Sequence, residues 1–154
     1  MEFIIFLNKL DKDILELIKK ANYSIEENSA LCLIDKKYIG FHKKREKEIV
    51  ICTKNAKNIT NFTNKIRSNN KDNHKTKLYI RRALRHEATH MIQACNGDKI
   101  IGDINEIKKK INKNKEKAIK SSVRISGNLE KELEAYWMED KPREVKKAII
   151  KYCL

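Results

Sequence analysis

The chain has 154 residues and a formal net charge of +14 at pH 7. Hydrophobic residues make up 40% and charged residues 36%, a balance that excludes a disordered or collagen-like chain and favours a folded globular protein. This length suits one ordinary domain, so we expect a single domain over residues 1–154. A single proline and four glycines predict many helices and few tight turns.

The N-terminal apolar run, residues 3–7, predicts a buried strand or the first turn of a buried helix. It is too short to cross a bilayer, and Glu2 stands where a signal peptide would carry basic residues. No other segment is apolar enough to form a membrane span. We therefore expect no membrane span and a cytoplasmic location.

A first helix, ending near Ala21, is predicted by its apolar spacing. Three short apolar runs follow it, over residues 30–34, 38–41 and 48–52, and a charged turn separates the second run from the third. This pattern predicts a small antiparallel sheet. The polar, Asn-rich stretch that comes next offers only a short helix around residues 59–66.

The clearest helix covers about residues 76–95, which contain neither glycine nor proline and end before Asn96 and Gly97. Apolar side chains recur on one of its faces at helical spacing and predict the core-facing side. They are Ile80, Leu84, Ala88, Met91, Ile92 and Cys95.

Three further helices are predicted towards the C-terminus. Asp103 caps a basic helix that extends to about Lys120, and Ser126 or Asn128 caps the next one. Pro142 opens the last helix, because proline is well tolerated in the first helical turn. The predicted fold class is therefore α+β.

The four cysteines, Cys32, Cys52, Cys95 and Cys153, contain no CxxC pair. A zinc site made of cysteines is therefore not expected. Two disulfides could form in an oxidising compartment, but without a secretion signal we expect buried free thiols.

The motif His86-Glu87-Ala88-Thr89-His90 lies within the clearest helix. A spacing of four residues places both imidazoles on one helix face, where both can reach one cation. Glu87, beside the first histidine, can act as the general base for a water that zinc activates. The alternative is two incidental surface histidines, but the histidines lie opposite the apolar face, which favours the metal site.

A zinc hydrolase also needs a third protein ligand and one open position. No histidine follows His90, so the third ligand must be a carboxylate. The best candidates lie in the acidic cluster of residues 130–134, on the helix after the basic one. An ordinary acidic helix face is the alternative, although acidic clusters are scarce in so basic a chain.

With the motif at 86–90 and the later segment 132–136 (Glu-Leu-Glu-Ala-Tyr), the chain resembles a small gluzincin. Gluzincins are metallopeptidases whose third zinc ligand is a glutamate on a later helix. The resemblance implies a zincin-like fold, with a small antiparallel sheet packed on the active-site helix. It also implies that Glu132 is the ligand, with Glu134 as the fallback, because residues i and i+2 cannot both face the metal.

Within the gluzincins, the chain is most similar to the family of mitochondrial processing peptidases that assist ATP synthase assembly. The likeness rests on Gly40-Phe41, the strand at 48–52 and the segment 84–90 with Cys95. Most of that family's cysteines are missing here, and Gln93 stands in the region where an acidic residue is expected. The resemblance implies that residues 48–52 form the edge strand beside the active-site helix, where an extended peptide could pair.

The combined expectation is a zinc-dependent peptidase that acts on a peptide or protein substrate. His86, His90 and Glu132 would bind Zn²⁺, and Glu87 would be the general base. The group that stabilises the oxyanion is left open among Tyr136, Tyr79 and His74.

Two rival functions remain open at this point. The charge of +14 suits a basic nucleic-acid-binding protein, although aromatic residues are only 6% and do not alternate with the basic ones. The bias towards Lys, Asn and Ile, which have A/T-rich codons, also explains the charge without nucleic acid. The second rival is a catalytically silent gluzincin fold that regulates a partner by binding it.

Overall fold

A computed structural model describes residues 1–62 and 73–154. Its elements, in chain order, are α1 (Lys9–Lys20), β1 (Ser24–Glu27), β2 (Gly40–Lys43), β3 (Glu48–Ile51), α2 (Thr53–Ile59), α3 (His74–Cys95), α4 (Ile104–Lys110), α5 (Glu116–Ser126), α6 (Leu129–Met138) and α7 (Pro142–Cys153). Short 3-10 helices occur at Glu2–Phe6, Ala30–Leu33 and Lys113–Lys115. The predicted α+β class is confirmed.

The sheet is mixed, so the prediction of an antiparallel sheet is wrong. The strand order is β1-β3-β2, with β1 parallel to β3 and β2 antiparallel to it. The run at 30–34 forms a 3-10 helix, and β1 comes from a segment with one apolar residue, Ile25. Glu27, the last residue of β1, accepts hydrogen bonds from the backbone N–H groups of Glu2 and Phe3, so polar contacts stabilise this strand.

The position of β3 overturns a second expectation. Because β3 is the central strand, residues 48–52 do not form a sheet edge. The edge strand beside α3 is β2, whose Gly40 lies against the Glu87 side chain. A hairpin with the charged turn between β2 and β3 brings β2 to this edge.

Helix α3 runs through the centre of the molecule and buries five of the six apolar side chains that were predicted for its core face. The sixth, Cys95, is exposed and forms a disulfide with Cys153. Ile80, Leu84, Ala88, Met91 and Ile92 are all fully buried. Around them pack α1, α7, the sheet and the N-terminal 3-10 helix, which buries two phenylalanine side chains. Packing of this amphipathic face against several elements holds the opposite face of α3 in a fixed orientation.

The basic segment after α3 is broken into two helices. Asp103 caps α4 as predicted, but the backbone at Ile111 is extended and Asn112 caps a separate 3-10 helix before α5. Gly127 then ends α5 in the left-handed region, with φ of 70°, and the side chain of Asn128 caps α6. Local side-chain bonds to the backbone therefore set these boundaries.

Two disulfides replace the free thiols that were expected, so that expectation is wrong. Cys32 pairs with Cys52, and Cys95 pairs with Cys153. The first pair joins the segment before β2 to the end of β3, and the second joins the C-terminal ends of α3 and α7. Tertiary packing brings each pair together across 20 and 58 residues of sequence.

Two further expectations meet the limits of the described residues. In residues 1–62 and 73–154, every helix is too short or too polar to cross a bilayer. A short helix was predicted around residues 59–66. The observed helix α2 ends at Ile59, residues 60–62 are not helical, and residues 63–66 lie outside the described part of the chain.

Loss of the longer disulfide tests the pairing. We expect the unreduced, denatured protein to titrate no free thiols, and the double variant Cys95→Ser/Cys153→Ser to lose about 4 kcal/mol of unfolding free energy. The cost arises because the cross-link restricts a long loop of the unfolded chain. Denaturant unfolding of the unreduced variant and of unreduced wild type measures this loss, and reduced wild type gives the loss of both cross-links together. Four titratable thiols in the untreated protein would contradict the assignment.

Candidate metal centre

The polar face of α3 presents His86 and His90 to a cleft. Both side chains are largely enclosed, and their Nε2 atoms are 3.1 Å apart. Residues four apart on a helix lie one turn above each other, which is the reason that the two rings meet. The structure thus brings together the two histidines that the motif singled out.

Helix α6 places Glu132 opposite this pair. Its carboxylate lies 3.2 Å from Nε2 of His86 and 3.3 Å from Nε2 of His90. Ligands at ordinary zinc distances in a tetrahedral site are separated by about 3.3 Å. The three groups therefore have the mutual spacing of ligands that share one small cation.

The second ring nitrogen of each histidine is already engaged. Nδ1 of His86 lies 3.1 Å from a carboxylate oxygen of Glu139, and Nδ1 of His90 lies 2.9 Å from the amide oxygen of Gln93. Since both acceptors favour a proton on Nδ1, each histidine would offer the lone pair of its Nε2 atom to a cation once that atom loses its proton. The buried Oε2 of Glu132 has no hydrogen-bond donor among the described residues. A cation between these atoms would satisfy all three groups.

Glu134 is not beside the histidines but in the layer behind them. It is buried and accepts hydrogen bonds from the backbone N–H groups of Ile101 and Gly102 and from the Gln93 side chain. Gln93 in turn accepts from His90. Glu134 thus fixes the amide that orients His90, and of the two glutamates it is Glu132 that lies beside both histidines.

Arg85 performs a similar task behind His86. Its guanidinium forms two bonds of 2.7 and 3.0 Å with the buried carboxylate of Asp11 and donates to the Glu139 carbonyl at 2.8 Å. Asp11 lies on α1 and Glu139 at the end of α6. This buried contact fixes the backbone of Glu139, whose side chain meets His86.

The electrostatics of the cluster indicate that it attracts positive charge. Burial lowers the pKa of His86, but the adjacent carboxylates of Glu132 and Glu139 outweigh this and raise the pKa to about 10. Burial raises the pKa of Glu132, yet the two histidines more than reverse this and hold that pKa well below its usual range. The carboxyl groups of Glu87, Glu132 and Glu139 thus surround the two imidazoles, which is a suitable setting for a divalent cation.

Glu87 lies in the same cleft, packed against the edge strand. A methyl group built on Gly40 would lie 2.8 Å from Cγ and 2.9 Å from Oε1 of Glu87. Only a residue without a side chain therefore leaves room for Glu87 in its present position. Burial raises the pKa of Glu87, and the nearby histidines offset only part of this effect.

The cleft has a volume of about 840 Å³, which is large enough for several residues of a peptide. Of the three oxyanion candidates, Tyr136 and Tyr79 line it, whereas His74 is exposed at the start of α3 and does not. The Tyr136 ring packs against His86 at 4.5 Å, and its hydroxyl lies 2.8 Å from Oγ of Ser122. Burial raises the pKa of Tyr136, so its hydroxyl keeps its proton.

His42 on β2 is a cleft residue that was missed in the sequence. Its ring stacks between Tyr23 and His90, at 5.7 and 6.4 Å, and its buried Nε2 has no partner in the described part of the chain. Burial and nearby His90 lower its pKa to about 4, so it is neutral at pH 7. Strand alternation from the Gly40-Phe41 pair could have placed it on the cleft side.

Comparison with known proteins yields a family without an assigned activity. A family model described as "Domain of unknown function (DUF8637)" matches residues 3–154. No curated protein and no solved structure matches the chain.

Metal content tests the arrangement. We expect about one zinc per wild-type chain, none in His86→Ala or Glu132→Gln, and affinity about 10–100-fold lower in Glu139→Gln, because Glu139 only orients a ligand. Elemental analysis and zinc titration measure these values. Glu130→Gln, an exposed position on the same helix, is the matched control. Full zinc binding by Glu132→Gln would rule out this ligand set.

Proposed function

We propose that this chain, which belongs to the DUF8637 family, is a zinc-dependent peptidase of the gluzincin type with a zincin-like fold. The observation that carries the proposal is the convergence of His86, His90 and Glu132 on one point, with Glu87 in the same cleft. Two imidazoles and one carboxylate, with a fourth side open to a cleft, are typical of hydrolytic zinc sites.

The donor set favours zinc over Mg²⁺ and Ca²⁺. Imidazole nitrogens suit zinc, whereas Mg²⁺ and Ca²⁺ prefer oxygen ligands throughout. Zinc held by His86, His90 and Glu132 would supply Lewis acidity to the cleft. The protein residues supply the rest: orientation of the ligands by Glu139 and Gln93, a base, and a surface that aligns the substrate.

Glu87 is the proposed general base. It follows His86 directly, so it lies beside the metal position without competing for it. In the enclosed cleft its carboxylate takes a proton from the attacking water and then delivers it to the leaving amine. Tyr136 is the proposed donor to the oxyanion, because its protonated hydroxyl shares the cleft and its ring contacts His86.

The edge of the sheet offers a place for the peptide backbone. The Ile39 carbonyl accepts a bond from the Cys52 N–H, and bonding alternates along an antiparallel pair. The backbone groups of Gly40 and His42 therefore point away from β3, towards the cleft side of the edge. An extended peptide that pairs there would pass directly in front of Glu87.

The disulfides bear on where such an enzyme works. Disulfides such as Cys32–Cys52 and Cys95–Cys153 are typical of proteins from oxidising compartments and rare in proteins from reducing ones. They favour an oxidising compartment over the cytoplasmic location expected from the sequence.

Glu87→Gln separates a peptidase from a silent zinc-binding fold. We expect the variant to keep its zinc and to lose hydrolysis of a peptide library by about 10²–10⁴-fold, because the amide cannot accept the proton. Glu130→Gln serves again as the control. Zinc-loaded wild type that cleaves no peptide would support the silent fold instead.

Gly40→Ala tests the contact between the edge strand and the base. The added methyl group would displace Glu87, and we expect kcat/KM to fall by about 10–100-fold, since small misplacements of a catalytic group are costly. Zinc content should stay at the wild-type value, because the three atoms nearest the added methyl group all belong to Glu87 and not to His86, His90 or Glu132. Unchanged kcat/KM would show that the position of Glu87 does not matter.

A further inference from the structure

We propose that the substrate is an acidic peptide, with carboxylates on both sides of the bond to be cleaved; this inference rests on the proposed function. The inference is based on the charges at the two ends of the cleft and not on the cluster of His86, His90 and Glu132. The overall charge of +14 supplies a field of the matching sign.

The course of the cleft follows from contacts between β2 and α3. Gly40 lies against Glu87, His42 stacks near His90, and Lys44 forms an ion pair with Asp98 beyond the end of α3. The strand and the helix therefore run side by side in the same direction. A peptide paired with β2 passes Lys44 at one end and the segment before Gly40 at the other.

The first end has more positive than negative charge. Lys44 and Lys131 both line the cleft and share a single carboxylate, that of Asp98, which lies 3.6 Å from Lys131. One carboxylate between two ammonium groups leaves an excess of one positive charge. Asp98 is held ionised, because the bond to Lys44 lowers its pKa.

The second end carries Lys37, which is exposed and lines the cleft. Within residues 1–62 and 73–154, no acidic side chain lies within ion-pair distance of its ammonium group. The next residue, Tyr38, donates a hydrogen bond to the Ser121 carbonyl on α5 and so holds this end of the cleft together. A carboxylate of the substrate would give Lys37 its partner.

The acidic residues of the cleft do not oppose such a substrate. Glu132 and Glu139 are buried and directed at the histidines, where they are already neutralised. Asp98 is paired with Lys44 and Lys131, and Glu87 lies at the centre of the cleft beside Gly40, away from both cationic ends. Lys44 lies four residues after Gly40, just past the end of β2, and Lys37 lies three residues before Gly40, in the turn that precedes the strand. A peptide extended along β2 advances about 3.3 Å per residue. We therefore expect carboxylates about two to four residues from the cleaved bond.

Peptide binding tests the inference apart from catalysis. Three peptides with one central sequence and Glu, Gln or Lys at the flanking positions are titrated into zinc-loaded Glu87→Gln. We expect the Glu peptide to bind at least about tenfold more tightly than the Lys peptide, with the difference shrinking between about 0.05 M and 0.5 M salt. Equal affinities would overturn the inference.

Charge reversal locates the effect. Lys37→Glu/Lys44→Glu should abolish the preference for the Glu peptide in both binding and kcat/KM. Lys108→Glu/Lys109→Glu changes the net charge equally on the exposed face of α4, outside the cleft, and should leave most of the preference intact. Equal loss in both double variants would assign the preference to net charge and overturn the subsites.

The outcomes separate this inference from the proposed function. Preferential binding of the Glu peptide without cleavage by zinc-loaded wild type would retain the acidic ligand and reject the peptidase. Cleavage of all three peptides at equal rates would retain the peptidase and reject the preference for an acidic substrate. A single-stranded DNA oligonucleotide that binds more tightly than the Glu peptide, and loses affinity in Lys37→Glu/Lys44→Glu, would replace the peptide by nucleic acid as the ligand.

Discussion

The buried ion pair between Arg85 and Asp11 connects the hydrophobic core to the candidate metal centre. It joins α1, α3 and the end of α6, because Arg85 also donates to the Glu139 carbonyl. Burying two charges is expensive unless the hydrogen bonding is nearly complete, and here two parallel bonds meet that condition. The position of the Glu139 side chain, and with it the orientation of His86, depends on this contact.

Each histidine is thus oriented by a group that is itself oriented by another. Behind His86 are Glu139 and then Arg85, and behind His90 are Gln93 and then Glu134. Such outer layers determine which ring nitrogen faces a metal. They also explain two glutamates two residues apart on α6: alternate positions on a helix point in different directions, so Glu132 faces the histidines and Glu134 faces the layer behind them.

The two disulfides and the polar layers stabilise the same region by different means. Cys95–Cys153 fastens the end of α3 to the last helix, and Cys32–Cys52 fastens the segment that leads into the edge strand. Both cross-links lie near the ends of elements that line the cleft. A cleft so held keeps Glu87 and the cluster of His86, His90 and Glu132 in one geometry.

The sequence by itself determined what depends on neighbours along the chain. The helix around 76–95, its buried face and the shared face of His86 and His90 follow from helical periodicity, as does the α+β class from the mixture of patterns. The tertiary structure decided the order of the strands, the pairing of the cysteines, which of Glu132 and Glu134 lies beside the histidines, and the contacts of Glu139 and His42. Those features join residues tens of positions apart, and no local pattern records which distant groups packing brings together.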